Sequence, residues 1–350
     1  MIDSDPARTR PAPWDYAAPW GVRDYITDLD GPVHWIEFIS EDHGQDRDHG
    51  QDRDHGRDRD HGRDRDHGQD RGPGQQLPIV FVHGLGGSHL NWCLLGPHLA
   101  AGRRAVALDL HGFGLTPGLR ANSTVQANTR LLDRFIREVI GTPVILVGNS
   151  MGGLISVLET ATNPDIVKGL VLLDPALPLP LQKPDWQVSG QFLVYALPGL
   201  GEFAVAKLMA SVSPEKAVQQ LLQLCFADPS RAVPEMTRAE VALSTKRRPA
   251  TPAQATARAR VFLAAARSLL RILARRQRYQ ATMAGIDVPV LLIGGEDDRL
   301  VPVAAMRHVA ARNPRWESVI LAGVGHTPML EVPDAVTSVI QDWLDRHFES

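Results

Sequence analysis

The stretch PVILVGNSMGG, residues 143–153, decides the fold. Its first five residues form an apolar run typical of a buried strand, and the segment after it has helical spacing. Between them, residues 148–152 fit the pattern G-x-S-x-G. The chain reverses so sharply at such a turn that side chains at Gly148 and Gly152 would collide, which leaves Ser150 at the start of the helix. The stretch therefore predicts a strand, a tight turn carrying Ser150, and a helix.

Other short apolar runs recur along the chain, with helix-like segments between them. They lie at residues 77–84, 105–110, 143–148, 168–174, 288–294 and 317–323. This alternation is typical of right-handed β-α-β crossovers, which build a mostly parallel sheet with helices on both faces. Before these runs, residues 25–39 have the pattern of a hairpin turning at Asp30-Gly31, which would add an antiparallel edge. We therefore expect an α/β fold.

The alternation is interrupted between residues 174 and 288. Strand-like runs are missing there, and helix-like segments are separated by prolines. We expect an α/β core over residues 1–175 and 286–350, with a helical cap over residues 176–285 inserted between two strands. Cap segments rich in Leu, Val, Phe and Ala are as compatible with the cap's own core as with the lining of an apolar acyl site.

One cap segment, residues 256–279, has the pattern of a basic amphipathic helix. Its apolar and charged faces are formed by Phe262, Ala265, Leu269 and Leu273, and by Arg267, Arg271, Arg275 and Arg278, respectively. The pattern favours a helix that packs on its neighbours and leaves one face in solvent. Weak contact with a membrane surface stays open as the alternative.

Residues 42–72 repeat the hexapeptide Asp-His-Gly-(Gln/Arg)-Asp-Arg five times. Because the repeat has alternating charges and no apolar residues, it predicts a disordered loop between the hairpin and the first parallel strand. Lengthening a surface loop costs only about 0.6 kcal/mol per doubling, so we expect a tolerated expansion. The five histidines leave a metal-binding role open.

The composition limits the classes of function. A chain of 350 residues with 43% hydrophobic residues is long enough for one large domain or two small ones. A net charge of −3 argues against nucleic-acid binding. Cys93 and Cys225 are too few for a disulfide framework and have no metal-ligand spacing. No secretory signal or membrane-spanning run is evident, so we expect a cytoplasmic protein. We also expect it to need no metal or organic cofactor.

Two further strand ends carry the partners that a serine nucleophile needs. A serine hydroxyl is a poor nucleophile at neutral pH, so it requires a histidine base and usually a carboxylate that orients the base. The last strand runs into His326, and the strand before it runs into Asp297-Asp298. Because the carboxyl ends of parallel strands meet at one edge of the sheet, we expect these residues to lie near Ser150.

A fourth strand end carries the glycine-rich loop HGLGG, residues 83–87. The supporting residues of this motif are His83, Gly84 and Gly86. Acyl transfer passes through a tetrahedral oxyanion, which main-chain N–H groups stabilise when they lie close to it. We expect Leu85 N–H and Met151 N–H to be these donors. The alternative is a plain glycine turn.

Together these motifs resemble the capped branch of the α/β-hydrolase fold family. The resemblance rests on HGLGG, on GNSMGG, on G-x-x-D-x-x-x-P at 295–302 and on GHTP at 325–328, and it covers about residues 22–349 apart from the repeat. It implies an eight-stranded sheet with a cap after the sixth strand, a nucleophile at Ser150, an acid at Asp298 and a base at His326. Asp174, after the sixth strand, is the alternative acid.

A serine at position 150 excludes epoxide hydrolases and haloalkane dehalogenases, which use an aspartate there, and implies an acyl-enzyme. We expect hydrolysis of a small-molecule carboxylic ester with a medium-chain or lipid-like acyl part. One alternative is carbon-carbon bond hydrolysis of the meta-cleavage type, although the tryptophan that follows soon after the base in those enzymes has no counterpart at residues 327–330. Acyl transfer, thioester hydrolysis and non-catalytic ligand binding are the others.

Overall fold

A computed structural model describes residues 9–11, 16–39, 76–178, 195 and 197–349. Its strands are β1 (Thr9–Pro11), β2 (Val22–Asp28), β3 (Pro32–Phe38), β4 (Ile79–Val82), β5 (Ala105–Leu108), β6 (Val144–Asn149), β7 (Val167–Leu173), β8 (Val290–Gly295) and β9 (Glu317–Leu321). Its helices are α1 (Gly96–Leu99), α2 (Val125–Phe135), α3 (Met151–Thr162), α4 (Leu200–Ser211), α5 (Pro214–Cys225), α6 (Pro234–Arg247), α7 (Pro252–Ala274), α8 (Arg276–Ala284), α9 (Val303–Arg312), α10 (Pro328–Glu331) and α11 (Pro333–Phe348). The repeat at 42–72 lies outside the described residues.

The strands of the described residues form one sheet in the order β1-β2-β3-β5-β4-β6-β7-β8-β9. The six strands from β5 to β9 in this order run parallel, and β1, β2 and β3 add an antiparallel edge. The α/β fold with a mostly parallel sheet is confirmed. The expected count of eight strands is one too low, because Thr9–Pro11 pairs with residues 25–27. A three-residue strand ending in proline has too little β pattern to stand out in a sequence, and proline is tolerated at a sheet edge.

The central strands are buried on both faces, which explains their continuous apolar runs. In β4, Val80 and Val82 pack into one apolar layer, while Ile79 and Phe81 pack into the other. The helices α2 and α3 contribute side chains to the first layer, and α11 contributes Trp343 to the second. Because helices hold both faces, the strand ends are fixed in register, and residues just beyond them are held in place.

Between β7 and β8, the described residues form α4 to α8 and a short 3₁₀ turn at Pro229–Arg231, and none of them belongs to a strand. A helical insertion lies where the cap is expected, and its exact boundaries stay a prediction. The basic helix ends earlier than its pattern suggests, because Arg275 (φ −86°, ψ 51°) leaves the helical conformation and α8 then starts at Arg276. None of the described helices is long and apolar enough to cross a membrane.

The strands that flank the repeat meet at the edge of the sheet opposite Ser150. Phe38, the last residue of β3, and Ile79, the first residue of β4, both pair with Ala105 at the start of β5. Ser150 directly follows β6, at the carboxyl ends of the parallel strands. The chain therefore enters and leaves the repeat across the length of the sheet from Ser150.

Candidate active site

Ser150 occupies a strained turn between β6 and α3. Its backbone has φ 53° and ψ −119°, in the region that residues with a side chain rarely adopt. The close approach behind this turn requires glycine, because a Cβ at Gly148 would lie 2.7 Å from Gly152 O and a Cβ at Gly152 would lie 2.0 Å from Val82 O. Ser150 itself is half-buried.

Asp298 and His326 are brought together by the ends of β8 and β9. His326 Nδ1 lies 2.7 Å from Asp298 Oδ2, and both side chains are buried. The neighbouring Asp297 is exposed, and its main-chain N–H is bonded to Val324 O. The geometry thus joins the histidine to Asp298 and not to Asp297.

His326 is also tied to the turn that carries Ser150. Its carbonyl oxygen accepts a hydrogen bond from Asn149 Nδ2 at 3.1 Å, and the same amide group donates to Leu173 O at 2.9 Å. Asn149 directly precedes Ser150, so the predicted base and the predicted nucleophile lie on joined segments. The sequence pattern G-x-S-x-G treats position 149 as variable, and Asn149 was therefore missed as a residue of the site.

The loop at 83–87 packs against the serine. A Cβ at Gly84 would lie 3.0 Å from Ser150 Cβ, and Gly86 has φ +84°, a conformation that favours glycine. Within the described residues, no group accepts a hydrogen bond from Leu85 N–H or Met151 N–H. Both amides are therefore available to a ligand oxygen.

His83 shapes this loop as a neutral imidazole. Burial lowers its pKa to about 4, so the ring carries one proton at neutral pH. Nδ1 donates to Gly84 O at 2.8 Å, and Nε2 accepts from Leu110 N–H at 3.0 Å. One donor and one acceptor are what a neutral imidazole offers. His83 thus connects the loop to the end of β5 and has a structural part in the site.

Asp174, the alternative acid, has a different environment. It is buried and has φ 41°, and its carboxyl oxygens lie 2.9 and 3.2 Å from Gly295 N–H. Burial and the nearby charge of Asp298 raise its pKa well above the usual range. The neutral form of Asp174 is therefore favoured beside Asp298, and His326 hydrogen-bonds to Asp298.

Comparison with known proteins shows the family to which the chain belongs. The sequence profile described as the alpha/beta hydrolase fold matches residues 78–333. The chain belongs to the α/β-hydrolase fold family. Ser150, the Asp298-His326 pair and the glycine-rich loop at 83–87 all lie within the matched region of this α/β hydrolase.

Two curated relatives and one solved structure give further detail. The α/β hydrolase is 27% identical over 272 residues to the dihydrolipoyllysine-residue acetyltransferase component of the acetoin cleaving system of Pseudomonas putida, covering 77% of this chain and 64% of that protein. It is 28% identical over 265 residues to a pimeloyl-(acyl-carrier protein) methyl ester esterase of Xanthomonas axonopodis pv. citri (strain 306), covering 75% of this chain and 93% of that protein. The chain thus spans less than two thirds of the acetyltransferase component. A membrane phospholipase A, described as a novel bacterial virulence factor, is similar in fold with a TM-score of 0.65 and 23% identity, over 95% of this chain and 88% of that one.

The α/β hydrolase also contains a buried charged cluster that the sequence patterns do not indicate. His34 lies between two carboxylates, with Nδ1 donating to Asp109 Oδ2 at 2.7 Å and Nε2 donating to Asp24 Oδ1 at 3.0 Å. His89 Nδ1 lies 2.9 Å from the same oxygen of Asp109, which also accepts Leu115 N–H at 2.7 Å. Burial alone would lower the pKa of His34, but the two carboxylates raise it to about 9.

This cluster is the one group of histidine and acidic ligand atoms in the described part of the chain that is arranged closely enough for a metal ion. The distances between its atoms are those of hydrogen bonds, and Asp109 Oδ2 already accepts three of them. Because the ligand atoms of the cluster already hydrogen-bond to one another, the cluster does not fit a metal site.

Proposed function

We propose that this α/β hydrolase is a serine hydrolase that cleaves a carboxylic ester through an acyl-enzyme. The observation that carries the proposal is the buried Asp298-His326 pair, 2.7 Å apart, whose histidine main chain is hydrogen-bonded by Asn149, the residue before a half-buried Ser150 in a strained turn. A serine, a histidine and a carboxylate arranged in this way are the parts needed for nucleophilic acyl transfer. The esterase among the relatives supports the same reaction class.

In the proposed mechanism, His326 Nε2 removes the proton from Ser150 as its oxygen attacks the ester carbonyl. Asp298 holds Nδ1–H and stabilises the imidazolium that forms. The two available amides, Leu85 N–H and Met151 N–H, donate to the oxyanion. His326 then protonates the leaving alcohol, and a water activated by the same imidazole hydrolyses the acyl-enzyme. No step requires a metal ion or an organic cofactor.

We place the acyl part among medium-chain or lipid-like groups. Support comes from the inserted helices, because a Cβ at Gly86 would lie 3.8 Å from the Phe262 ring of α7, which brings an apolar side chain to the oxyanion loop. Leu200, Phe203 and Leu208 of α4 are exposed on the same inserted region. An exposed apolar face of this kind suits weak peripheral contact with a lipid surface.

A groove of about 750 Å³ is lined by residues of α4 and α7, among them Phe203, Ala206, Lys207 and Arg260. Among the described residues that line it, none belongs to the proposed catalytic set. The groove is therefore not the place where the ester bond is cleaved, and the proposed site is the strand-end cluster around Ser150.

Acyl transfer or thioester hydrolysis is the second candidate. The same acyl-enzyme would serve both, because only the group that accepts the acyl chain changes. The resemblance to an acetyltransferase component supports this candidate. Carbon-carbon bond hydrolysis is less well supported, because residues 327–330, directly after His326, include no tryptophan.

The test is labelling with a fluorophosphonate probe, followed by rates on p-nitrophenyl esters of graded chain length. We expect labelling at Ser150, faster turnover of medium or long acyl chains, and loss of both in Ser150→Ala. Ser318→Ala changes an exposed serine on β9 and should behave like wild type. Folded protein that is not labelled would contradict the enzymatic proposal, and turnover of acyl thioesters alone would favour the second candidate.

A further inference from the structure

A buried carboxylate, Glu331, accepts four hydrogen bonds near the proposed base. Its Oε1 accepts Asp228 N–H at 2.9 Å and Arg231 Nη1–H at 3.1 Å, and its Oε2 accepts Gly325 N–H at 2.8 Å and Ala227 N–H at 3.1 Å. The side chain is 0% exposed. Both oxygens are fully used, so removing the carboxylate would leave several N–H groups without a partner.

These hydrogen bonds join two distant parts of the chain. Ala227, Asp228 and Arg231 belong to residues 225–231, which run from the last residue of α5 into the connection to α6 in the inserted helical region. Gly325 belongs to the loop after β9 that carries the proposed base. Arg231 Nη1 also donates to the carbonyl oxygen of residue 323 in this loop, at 2.8 Å. Glu331 and Arg231 therefore hold the connection against the loop.

The two main chains are in direct contact as well. His326 N–H donates to Cys225 O at 2.6 Å. A Cβ at Gly325 would lie 2.3 Å from Cys225 O and 2.7 Å from Ala227 N, so only glycine fits between them. The main chain of the proposed base thus rests on the inserted region on one side and on Asn149 on the other.

From these contacts we infer that Glu331 is a positioning residue for His326. Together with Arg231, it holds residues 225–231 against the loop at 323–326 and so fixes the distance of the imidazole from Ser150. The inference rests on the proposed function, because it requires His326 to act as the base. It gives the inserted region the role of supporting the base.

The chemistry of the four donors explains why a carboxylate is needed. Two main-chain N–H groups converge on Oε2, and one main-chain N–H group and a guanidinium converge on Oε1. A glutamine has only one oxygen, and its amide NH₂ would face donors on the other side. Glu331→Gln should therefore weaken the hydrogen bonds that hold residues 225–231 against the loop at 323–326, while keeping the size of the side chain.

The experiment compares Glu331→Gln and Arg231→Met in the full chain. Glu159→Gln is the matched control, because Glu159 is also buried, but on α3, where it accepts from Asn163 Nδ2 at 2.8 Å. Burial raises the pKa of Glu159 to about 7, so glutamine replaces a carboxyl that is only partly ionised at neutral pH. Rates on the best p-nitrophenyl ester are divided by the number of serines that a fluorophosphonate titrates, which counts folded sites only.

For Glu331→Gln we expect kcat per titrated serine to fall about 10- to 100-fold with KM within about threefold, because positioning of the base acts on the chemical step. The acidic limb of kcat/KM should move by at least about 0.5 pH unit, since it follows protonation of the base. Arg231→Met, which changes a side chain 39% exposed, should show the same pattern more weakly even if Glu331→Gln does not fold. Glu159→Gln should match wild type.

A purely structural role predicts a different result. It would lower the number of titrated serines and leave kcat per serine, KM and the pH profile unchanged, and that outcome would overturn the inference alone. Absence of labelling and turnover in the wild-type chain would instead refute the proposed function, and the inference with it.

Discussion

Asp298 Oδ2 lies 2.7 Å from His326 Nδ1, while the other oxygen of the same carboxylate is held by its own loop. Oδ1 accepts Leu300 N–H at 2.7 Å and Val301 N–H at 3.0 Å. The orientation of the carboxylate is therefore fixed by its own loop, independently of the imidazole. Since a carboxylate only accepts hydrogen bonds, it selects the imidazole tautomer with a proton on Nδ1, which leaves Nε2 free to take a proton from a serine.

Asp298→Asn should remove this selection. An asparagine NH₂ facing Nδ1 favours the tautomer with the proton on Nε2, which cannot act as a base toward Ser150. We expect kcat on a p-nitrophenyl ester to fall about 10³- to 10⁴-fold with little change in KM, the size known for this substitution in other serine hydrolases. Asp297→Asn, at the exposed neighbour, is the control and should retain wild-type rates. A loss below tenfold in Asp298→Asn would exclude Asp298 as the acid.

Asp174→Asn should have a small effect, although Asp174 is equally buried. Burial and the charge of Asp298 raise the pKa of Asp174 and so favour its neutral form, which an amide of the same shape imitates. We expect kcat within about fivefold of wild type, since no proton or charge needed by His326 is removed. If Asp174→Asn lost as much activity as Asp298→Asn, the assignment of Asp298 as the only acid that supports His326 would be contradicted.

The sequence predicts the sheet and the three residues at its strand ends because both depend on local patterns. Apolar runs indicate buried strands, and parallel strands bring their carboxyl ends to one edge, so Ser150, His326 and the pair Asp297-Asp298 are predicted near one another. The choice of Asp298 over Asp297 comes from the resemblance to the α/β-hydrolase fold family. Residues whose partners are remote give no such signal. Asn149 meets His326 177 residues away, and Glu331 meets Ala227 104 residues away. Such contacts are visible only once the chain is folded.

Stability should depend on pH through His34. Its pKa rises from 6.5 in the unfolded chain to about 9 in the folded protein, because Asp109 and Asp24 stabilise the imidazolium despite burial. The stabilisation is therefore fully present below about pH 6.5, declines as the pH rises and is lost near pH 9. At its maximum it is on the order of 3 kcal/mol, taking about 1.4 kcal/mol per pH unit. Urea unfolding of the wild type between pH 6 and pH 9.5 measures it.

His34→Gln is the control for this dependence. Glutamine keeps hydrogen bonding near Asp109 and Asp24 but carries no proton that titrates in this range. The variant should be less stable than wild type at pH 6, and the difference in the free energy of unfolding should shrink as the pH approaches 9. A constant difference across the range would show that the cluster stabilises the fold by packing and not by charge.

Deletion of residues 42–71 should leave ester hydrolysis and thermal stability close to wild type. Phe38 and Ile79, the strand ends that flank the repeat, both pair with Ala105 at the start of β5, so a short connection can join them. They lie across the sheet from Ser150, because a parallel strand of about six residues spans about 20 Å. Shortening a surface loop changes the free energy of folding by only about 0.6 kcal/mol per halving of its length.

Rates on p-nitrophenyl esters and the melting temperature of the deletion variant measure the effect of the deletion. Zinc or nickel calorimetry on both chains detects a separate metal-binding role. Loss of hydrolysis in folded deletion protein would mean that the repeat acts on the site around Ser150.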